Sequence, residues 1–203
     1  MKTCYIVCAG DGFRQIAPTA EDLVIAADGG YRYLAAHGIR CDLFVGDFDS
    51  FAGNLPTGVP VERHPSRKDD SDAALAYAGG YARGYRNFVF LGATGGRPDH
   101  TFAMLQLLAR IREEGADALL CYPTYDAFVL HNEGRRVPGT VGKYLSVFAV
   151  GGIAEGVTLR GLSYPLDEAT LRPDVPLGLS NAFTAPEAEI AVRRGTLLVM
   201  REC

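Results

Sequence analysis

Two aspartates one residue apart close the apolar stretch LFVGDFDSF, residues 43–51. Leu43, Phe44 and Val45 read as a buried strand, and Gly46 releases the chain into Asp47 and Asp49. Carboxylates this close repel each other, and a structural turn needs only one of them. A bound cation turns the repulsion into coordination. Other acids share the setting. Asp28 follows the apolar run LVIAA, and Lys68, Asp69, Asp70 and Asp72 gather in SRKDDSDAALA at the start of a helical pattern. Arg97, Asp99 and His100 lie in LGATGGRPDHT, the glycine-rich exit from a fourth apolar run.

Several carboxylates without a His or Cys cluster suit a hard, oxygen-preferring ion, Mg²⁺ before zinc. Protein-held Mg²⁺ completes its shell with water and substrate phosphates, and Lys68 and Arg97 supply positive charge for phosphate oxygens. Each piece alone has a structural reading. Asp69, Asp70 or Ser71 can cap the helix that begins near Asp72. Asp28 before Gly29-Gly30 can initiate a turn, and Asp99 or Thr101 can cap the following helix. The glycine-rich loop matches neither the P-loop nor the dinucleotide pattern. Together, the residues point to a Mg²⁺-dependent enzyme acting on a phosphate-rich substrate, a nucleotide.

These residues need a frame. Up to about residue 125, the short apolar runs CYIVCAG, DLVIAAD, DLFVGD, NFVFLGA and DALLCYP alternate with the helical patterns YRYLAAHG, SDAALAYAGGYARG and TFAMLQLLARIREEG. Continuously apolar runs bounded by Gly, Asp or Pro are the mark of strands buried on both faces of a parallel sheet. Gly115 is placed to cap the last helix. In such a sheet, ligands bind beyond the carboxyl ends of the strands, where Asp28, Asp47, Asp49, Asp72 and the Arg97 loop all fall. After about residue 130 the pattern becomes Gly-, Val-, Thr- and Pro-rich. KYLSVFAV, GVTLRGLSYPL, AEIAVRRG and TLLVMREC read as short antiparallel strands. The expected fold class is therefore α/β followed by all-β. An N-terminal open parallel-sheet α/β nucleotide-binding domain is expected over residues 1–130, and a C-terminal β-sandwich or barrel-like domain, of which the sandwich is the expectation carried forward, over 131–203.

Composition narrows the function further. A net charge of −4 argues against binding nucleic-acid phosphate backbones. No apolar run approaches the roughly 20 residues of a membrane-spanning helix. The opening MKTCYIVCAGDG reaches Asp11 too soon for a signal peptide and reads as a first strand. Cys4, Cys8, Cys41, Cys121 and Cys203 are odd in number and show no C-x-x-C pair. Reduced thiols in a cytoplasmic protein are expected, with Cys4 and Cys8 facing the core.

The stretches ADGGYRYLAAHGIRCDLFVGDFDS, KDDSDAALA, GATGGRPDHT, GLSYPL, GLSNAF and RRGTLLVM resemble, in that order, the thiamine pyrophosphokinase family. The GDFDS and GGRxDH elements together are specific to it. The resemblance implies an α/β nucleotide-binding domain followed by a β-sandwich, in a homodimer with the thiamine site near the subunit interface. It implies pyrophosphoryl transfer from ATP to the primary hydroxyl of thiamine, releasing AMP, with Mg²⁺ as cofactor and ATP as co-substrate. Carried over by position, Asp28, Asp47, Asp49 and Asp72 bind Mg²⁺. Lys68, Asp69 and Arg97 face the ATP phosphates, with Asp99 in the same loop as Arg97. His100 and Ser180 contact thiamine, and Asn181 holds that loop in place. Asp72, Asp99 and Arg97 are the catalytic candidates, and Asp72 or Asp99 the candidate general bases, Asp99 slightly preferred because a metal ligand loses basicity.

The sequence departs from the family pattern in places. Ser71 replaces a threonine and keeps its hydroxyl, Met104 stands where an asparagine often lies, and the chain has no Trp. Some relatives set a Trp against thiamine, a surface that Phe183 or Tyr164 is left to supply. The rival readings are a pyrophosphokinase for another heterocyclic alcohol such as a hydroxymethylpterin, a DxDxS phosphohydrolase phosphorylated on Asp47, and a nucleotide-sensing module.

Overall fold

The computed structural model describes residues 2–46, 58–63 and 70–203. The chain folds as two compact units, one of Met1–Leu107 with Ala116–Pro123 and one of Leu108–Gly115 with Thr124–Cys203. Together they make a mixed α/β protein.

In the first unit, β1 (Cys4–Val7), β2 (Leu23–Ala27), β3 (Leu43–Gly46), β4 (Val61–Arg63), β5 (Asn87–Leu91) and β6 (Asp117–Cys121) pair in parallel, in the order β6-β5-β1-β2-β3-β4. The apolar runs become strands because both faces are covered. Cys4, Ile6, Val7, Val24, Ile25, Ala26, Phe44, Val45 and Phe90 have no exposed surface. β4 was not expected. Its three residues are exposed, half-buried and exposed in turn, so an edge strand of this kind carries no apolar run.

The helices lie where the 3.6-residue pattern put them. α1 (Tyr31–Ala36) follows a single 3₁₀ turn at Asp28–Gly30. α2 (Asp72–Ala82) opens on Ser71, whose hydroxyl accepts the Ala74 N–H at 3.3 Å. The capping reading was therefore right for Ser71. Tyr77 of α2 is buried and meets the Phe88 ring edge-on at 4.8 Å. α3 (Pro98–Glu113) stops before Gly115, which takes φ +81° and donates its N–H to the Arg112 carbonyl.

All pairing in the second unit is antiparallel. Its strands are β7 (Tyr125–His131), β8 (Gly134–Pro138), β9 (Tyr144–Arg160), β10 (Leu166–Leu171), β11 (Gly178–Ala182) and β12 (Glu187–Glu202). β12 runs beside β9 for most of its length. On its other edge it pairs with β8 through 187–191 and with β7 through 196–202. β9 in turn pairs with β11 near its start and β10 near its end. The expected pairs of short strands are thus two long ones. KYLSVFAV and GVTLR join in β9, and AEIAVRRG and TLLVMRE join in β12. The glycines between them make an irregularity, with the register shifting between Arg194 and Thr196 around Gly195 at φ +111°.

Candidate active site

β1 pairs with β2 on one side and β5 on the other, so the chain leaves the sheet in opposite directions at this point. Such a switch point opens a crevice beyond the strand ends. Here the two exits stay bonded to each other. Cys8 N–H reaches the Leu91 carbonyl at 2.8 Å, Gly10 N–H reaches Gly92 at 2.6 Å, and Asp11 N–H reaches Thr94 at 2.6 Å. The Thr94 hydroxyl, buried, returns a bond to the Asp11 carbonyl at 3.2 Å. Backbones this close need glycine. A Cβ on Gly10 would strike the Thr94 and Gly92 carbonyls, and Gly92 itself sits at φ +62° against the Cys8 carbonyl.

A cavity of about 510 Å³ lies over this junction. The exit of β1 supplies Cys8 and Gly10, the turn after β2 supplies Asp28, α2 supplies Asp72, and the start of α3 supplies Asp99 and His100. Four residues singled out from sequence thus line one space.

Asp28 holds φ +50°, the left-handed region that side chains other than glycine rarely occupy. Its Oδ1 is buried, and a Cβ on Gly46 would come within 2.9 Å of that atom. Gly46 therefore leaves room for the Asp28 carboxylate just before the chain enters Asp47. Asp72 opens α2. Both acids act on a single thiol. Cys8 is pushed up to about 12 by burial first, then by the charges of Asp72 and Asp28. Two carboxylates felt by one side chain converge in space. Cys8 lies one residue beyond β1, and the expectation that it faces the core is corrected: it lines the cavity.

Arg97 and Asp99 form a two-pronged pair, Nη2 to Oδ2 at 2.6 Å and Nε to Oδ1 at 3.2 Å, largely exposed. The Arg97 hydrogen bond holds the Asp99 carboxyl below its usual range. That is the opposite of what a general base needs. Asp47, Asp49, Lys68 and Asp69 lie outside the described residues. Among the described residues, no three His, Cys, Asp or Glu side chains gather as a metal cluster.

In the second unit, Ser180 and Asn181 stand side by side on β11. Ser180 is exposed, holds φ +57°, and donates its N–H to the Ser146 hydroxyl at 3.0 Å. Asn181 is 2% exposed. Its Oδ1 accepts the N–H of Tyr164 at 2.9 Å and of Ala182 at 3.0 Å, and its Nδ2 donates to the Tyr164 carbonyl at 2.7 Å. The Asn181 amide thus clamps the backbone of Tyr164, whose side chain is 70% exposed. Phe183 is 1% exposed and sits against Gly139, so of the two aromatics only Tyr164 offers a free ring.

Residues 14–120 match the family model for the thiamin pyrophosphokinase catalytic domain, and residues 131–197 match that for the thiamin pyrophosphokinase vitamin B1 binding domain. The chain belongs to the thiamin pyrophosphokinase family. Its activity is that of the family, transfer of a diphosphoryl group from ATP to thiamine. Solved structures agree on the fold. A thiamine pyrophosphokinase from Bacillus subtilis shares 22% identity at a TM-score of 0.88, over 98% of both chains. A thiamin pyrophosphokinase family protein from Enterococcus faecalis shares 25% identity at 0.84, over 100% of this chain and 99% of its own. The thiamin pyrophosphokinase from Candida albicans, at 13% identity, still gives 0.77 over 99% of this chain. A search of curated protein sequences gave no match.

Of the cavity residues, Gly10 and Thr94 are ones that sequence reasoning passed over. The signal was the glycine pair in CAGDG after the first strand, matched by GATGG after β5. Met104 is buried and contributes an apolar wall to the cavity, so the departure from asparagine is absorbed by packing.

Proposed function

We propose that the cavity over the β1/β5 junction receives the phosphates of Mg²⁺–ATP, and that residues within 131–203 receive thiamine. The observation that carries this reading is that Asp28, Asp72, Asp99 and His100 line one cavity beyond the strand ends.

The donor set fits Mg²⁺. Asp28 and Asp72 are hard oxygen donors lining one space, Gly46 leaves room for Asp28, and Asp47 and Asp49 stand one and three residues after Gly46 in sequence. Asp28, Asp47, Asp49 and Asp72 would hold the ion. When bound, it neutralises charge on the transferring phosphoryl oxygens. Lys68, Asp69 and Arg97 complete the phosphate side.

The chain's own residues do the rest by position and charge. Arg97 presents a guanidinium to the phosphate oxygens, and Asp99 fixes its orientation by the two-pronged bond. Diphosphoryl transfer through a loose transition state asks little of a base, because the attacking hydroxyl loses its proton late. Asp99, with its proton affinity lowered by Arg97, therefore serves better as the partner of Arg97 than as a strong base. The bonded exits of β1 and β5 hold the glycine backbone in one place beside the cavity proposed for the phosphates. His100 and Ser180 contact thiamine. Tyr164 offers its ring to the thiazolium cation, and Asn181 holds that ring's backbone still.

The ATP- and Mg²⁺-binding catalytic domain is placed in residues 1–130, its open parallel sheet ending at β6 and β7 already pairing antiparallel with β12. Residues 131–203 form a β-sandwich for thiamine binding and homodimerisation, with the active site near the subunit interface. The cytoplasm is the proposed location: all five cysteines are free, and among the described residues no helix is long and apolar enough to cross a membrane.

Incubation with Mg²⁺, ATP and thiamine, followed by mass detection, tests the reading. Equal amounts of thiamine diphosphate and AMP are expected, with none in excess chelator. Turnover of a hydroxymethylpterin in place of thiamine, or an aspartyl-phosphate on Asp47, would overturn it.

A further inference from the structure

Gly10 lines the cavity, and its peptide bond to Asp11 is held from both sides. The N–H of that peptide goes to the Thr94 carbonyl at 2.6 Å. The C=O accepts the hydroxyl of Tyr33, on α1, at 3.1 Å. In a trans peptide these two groups point in opposite directions, so two bonds fix the plane. Gly10 has no Cβ to restrict it, so the Tyr33 hydroxyl is what ties that carbonyl to α1.

We propose that Tyr33 is a positioning residue for the phosphate cavity, its hydroxyl keeping the Gly10 carbonyl turned into the protein so that the loop after β1 meets an anion in one fixed conformation. This rests on the reading of the cavity as the ATP-phosphate site.

The ring that carries the hydroxyl is itself fixed. Phe13 stacks on it at 5.0 Å between centroids and 9° between planes, and the His37 ring lies 4.7 Å from Phe13 in turn. His37 Nδ1 bonds the Tyr33 carbonyl at 2.8 Å, closing the end of α1 onto the same residue. α1 also follows directly from Asp28, Gly29 and Gly30, and Gly30 packs so tightly on the Val7 carbonyl that a Cβ has no room. One short element thus begins beside a cavity carboxylate and grips the β1 exit at Val7 and Gly10. The stacking needs only a benzene ring. The hydroxyl adds only the bond to Gly10.

That separation makes Tyr33→Phe the test, because it keeps the ring and removes one bond. Binding of α,β-methylene ATP with Mg²⁺, without thiamine, is measured by calorimetry alongside the thermal midpoint. Tyr85→Phe is the matched control, since its hydroxyl makes the same kind of bond to the Glu21 carbonyl at 2.9 Å and Tyr85 does not line the cavity. Both variants should lose no more than about 4 °C in midpoint. Tyr33→Phe should weaken nucleotide binding about 3- to 10-fold and leave the KM for thiamine unchanged, whereas Tyr85→Phe should bind nucleotide as wild type. Equal nucleotide affinity in the two variants overturns the proposal, as does an equal loss toward thiamine. Asp72→Asn separates the levels. If it binds the nucleotide as tightly as wild type, the cavity is not the phosphate site and both readings fall. If it binds weakly while Tyr33→Phe does not, only the role of Tyr33 falls.

Discussion

The two units hold their candidate sites in opposite ways. Around the β1/β5 junction the frame is backbone on backbone, with Gly10, Gly92, Asp11 and Thr94 exchanging main-chain bonds and side chains pushed to the rim. Around β11 the frame is a side chain, with one buried asparagine amide holding the main chain of Tyr164 and Ala182. The difference follows from what each part is proposed to bind. A phosphate is small and anionic, and is best met by close backbone and a cation, which demands glycine. Thiamine is a flat organic cation, best met by an exposed aromatic face that is held still. Both units nevertheless store strain at a candidate residue, Asp28 at φ +50° and Ser180 at φ +57°.

The largest effect should come from separating strain from chemistry at Asp28. Asp28→Gly removes the carboxylate and suits the left-handed backbone, so kcat/KM should fall about 10²- to 10³-fold while the thermal midpoint rises. A steady-state assay beside a melting curve checks both. If activity survives, the proposed phosphate site loses its metal-side acid. If the midpoint falls instead, Asp28 is structural and the comparison between the units collapses.

Gly92→Ala attacks the frame of the first unit. The new methyl meets the Cys8 carbonyl in a backbone conformation that alanine avoids, so a loss of about 1–3 kcal/mol is expected in denaturant unfolding, with weaker ATP binding. Asn181→Ala attacks the frame of the second. It strips the Tyr164 N–H and C=O of their partner at a cost of about 1–3 kcal/mol. The KM for thiamine should rise and that for ATP should not. A variant in which both constants moved together would show that the two frames do not serve separate substrates.

The legible part of this protein was the part whose burial is complete. β1, β2, β3, β5 and β6 announced themselves because strands covered on both faces must be apolar throughout, and the strand-end rule then put Asp28 and Asp72 in one place. β4 stayed silent because an exposed edge needs no such run. Gly195 misled because a glycine that breaks register inside a strand looks, in sequence, like one that ends it. The bond from Tyr33 to Gly10 joins residues 23 apart, and nothing in YRYLAAHG distinguishes a hydroxyl aimed at a loop from one aimed at solvent. Phe183 and Tyr164 were equal as aromatic letters and differ only in exposure. Family resemblance named Ser180 and Asn181, but only the structure shows that Asn181 spends its amide on the main chain.

The smallest expected effect concerns how the entries to β1 and β2 are tied together. Asp22 accepts the N–H of Thr3, just before β1, at 2.7 Å, and the N–H and hydroxyl of Thr19 at 2.8 Å each. The Thr3 hydrogen bond is the main reason its carboxyl lies below the usual range. A lowered carboxyl contributes stability that is fully present above the unfolded value of about 3.9 and is lost as pH falls through the lower folded value. Melting curves taken from pH 6 downward should therefore show an acid-side decline that is shallower in Asp22→Asn. Because Thr3 leads into β1, the same variant reports whether slackening the far end of that strand reaches its exit at Gly10. Nucleotide affinity should stay unchanged, since the bonds from Gly10 to Gly92 and from Gly10 to Tyr33 hold the exit independently of the entry.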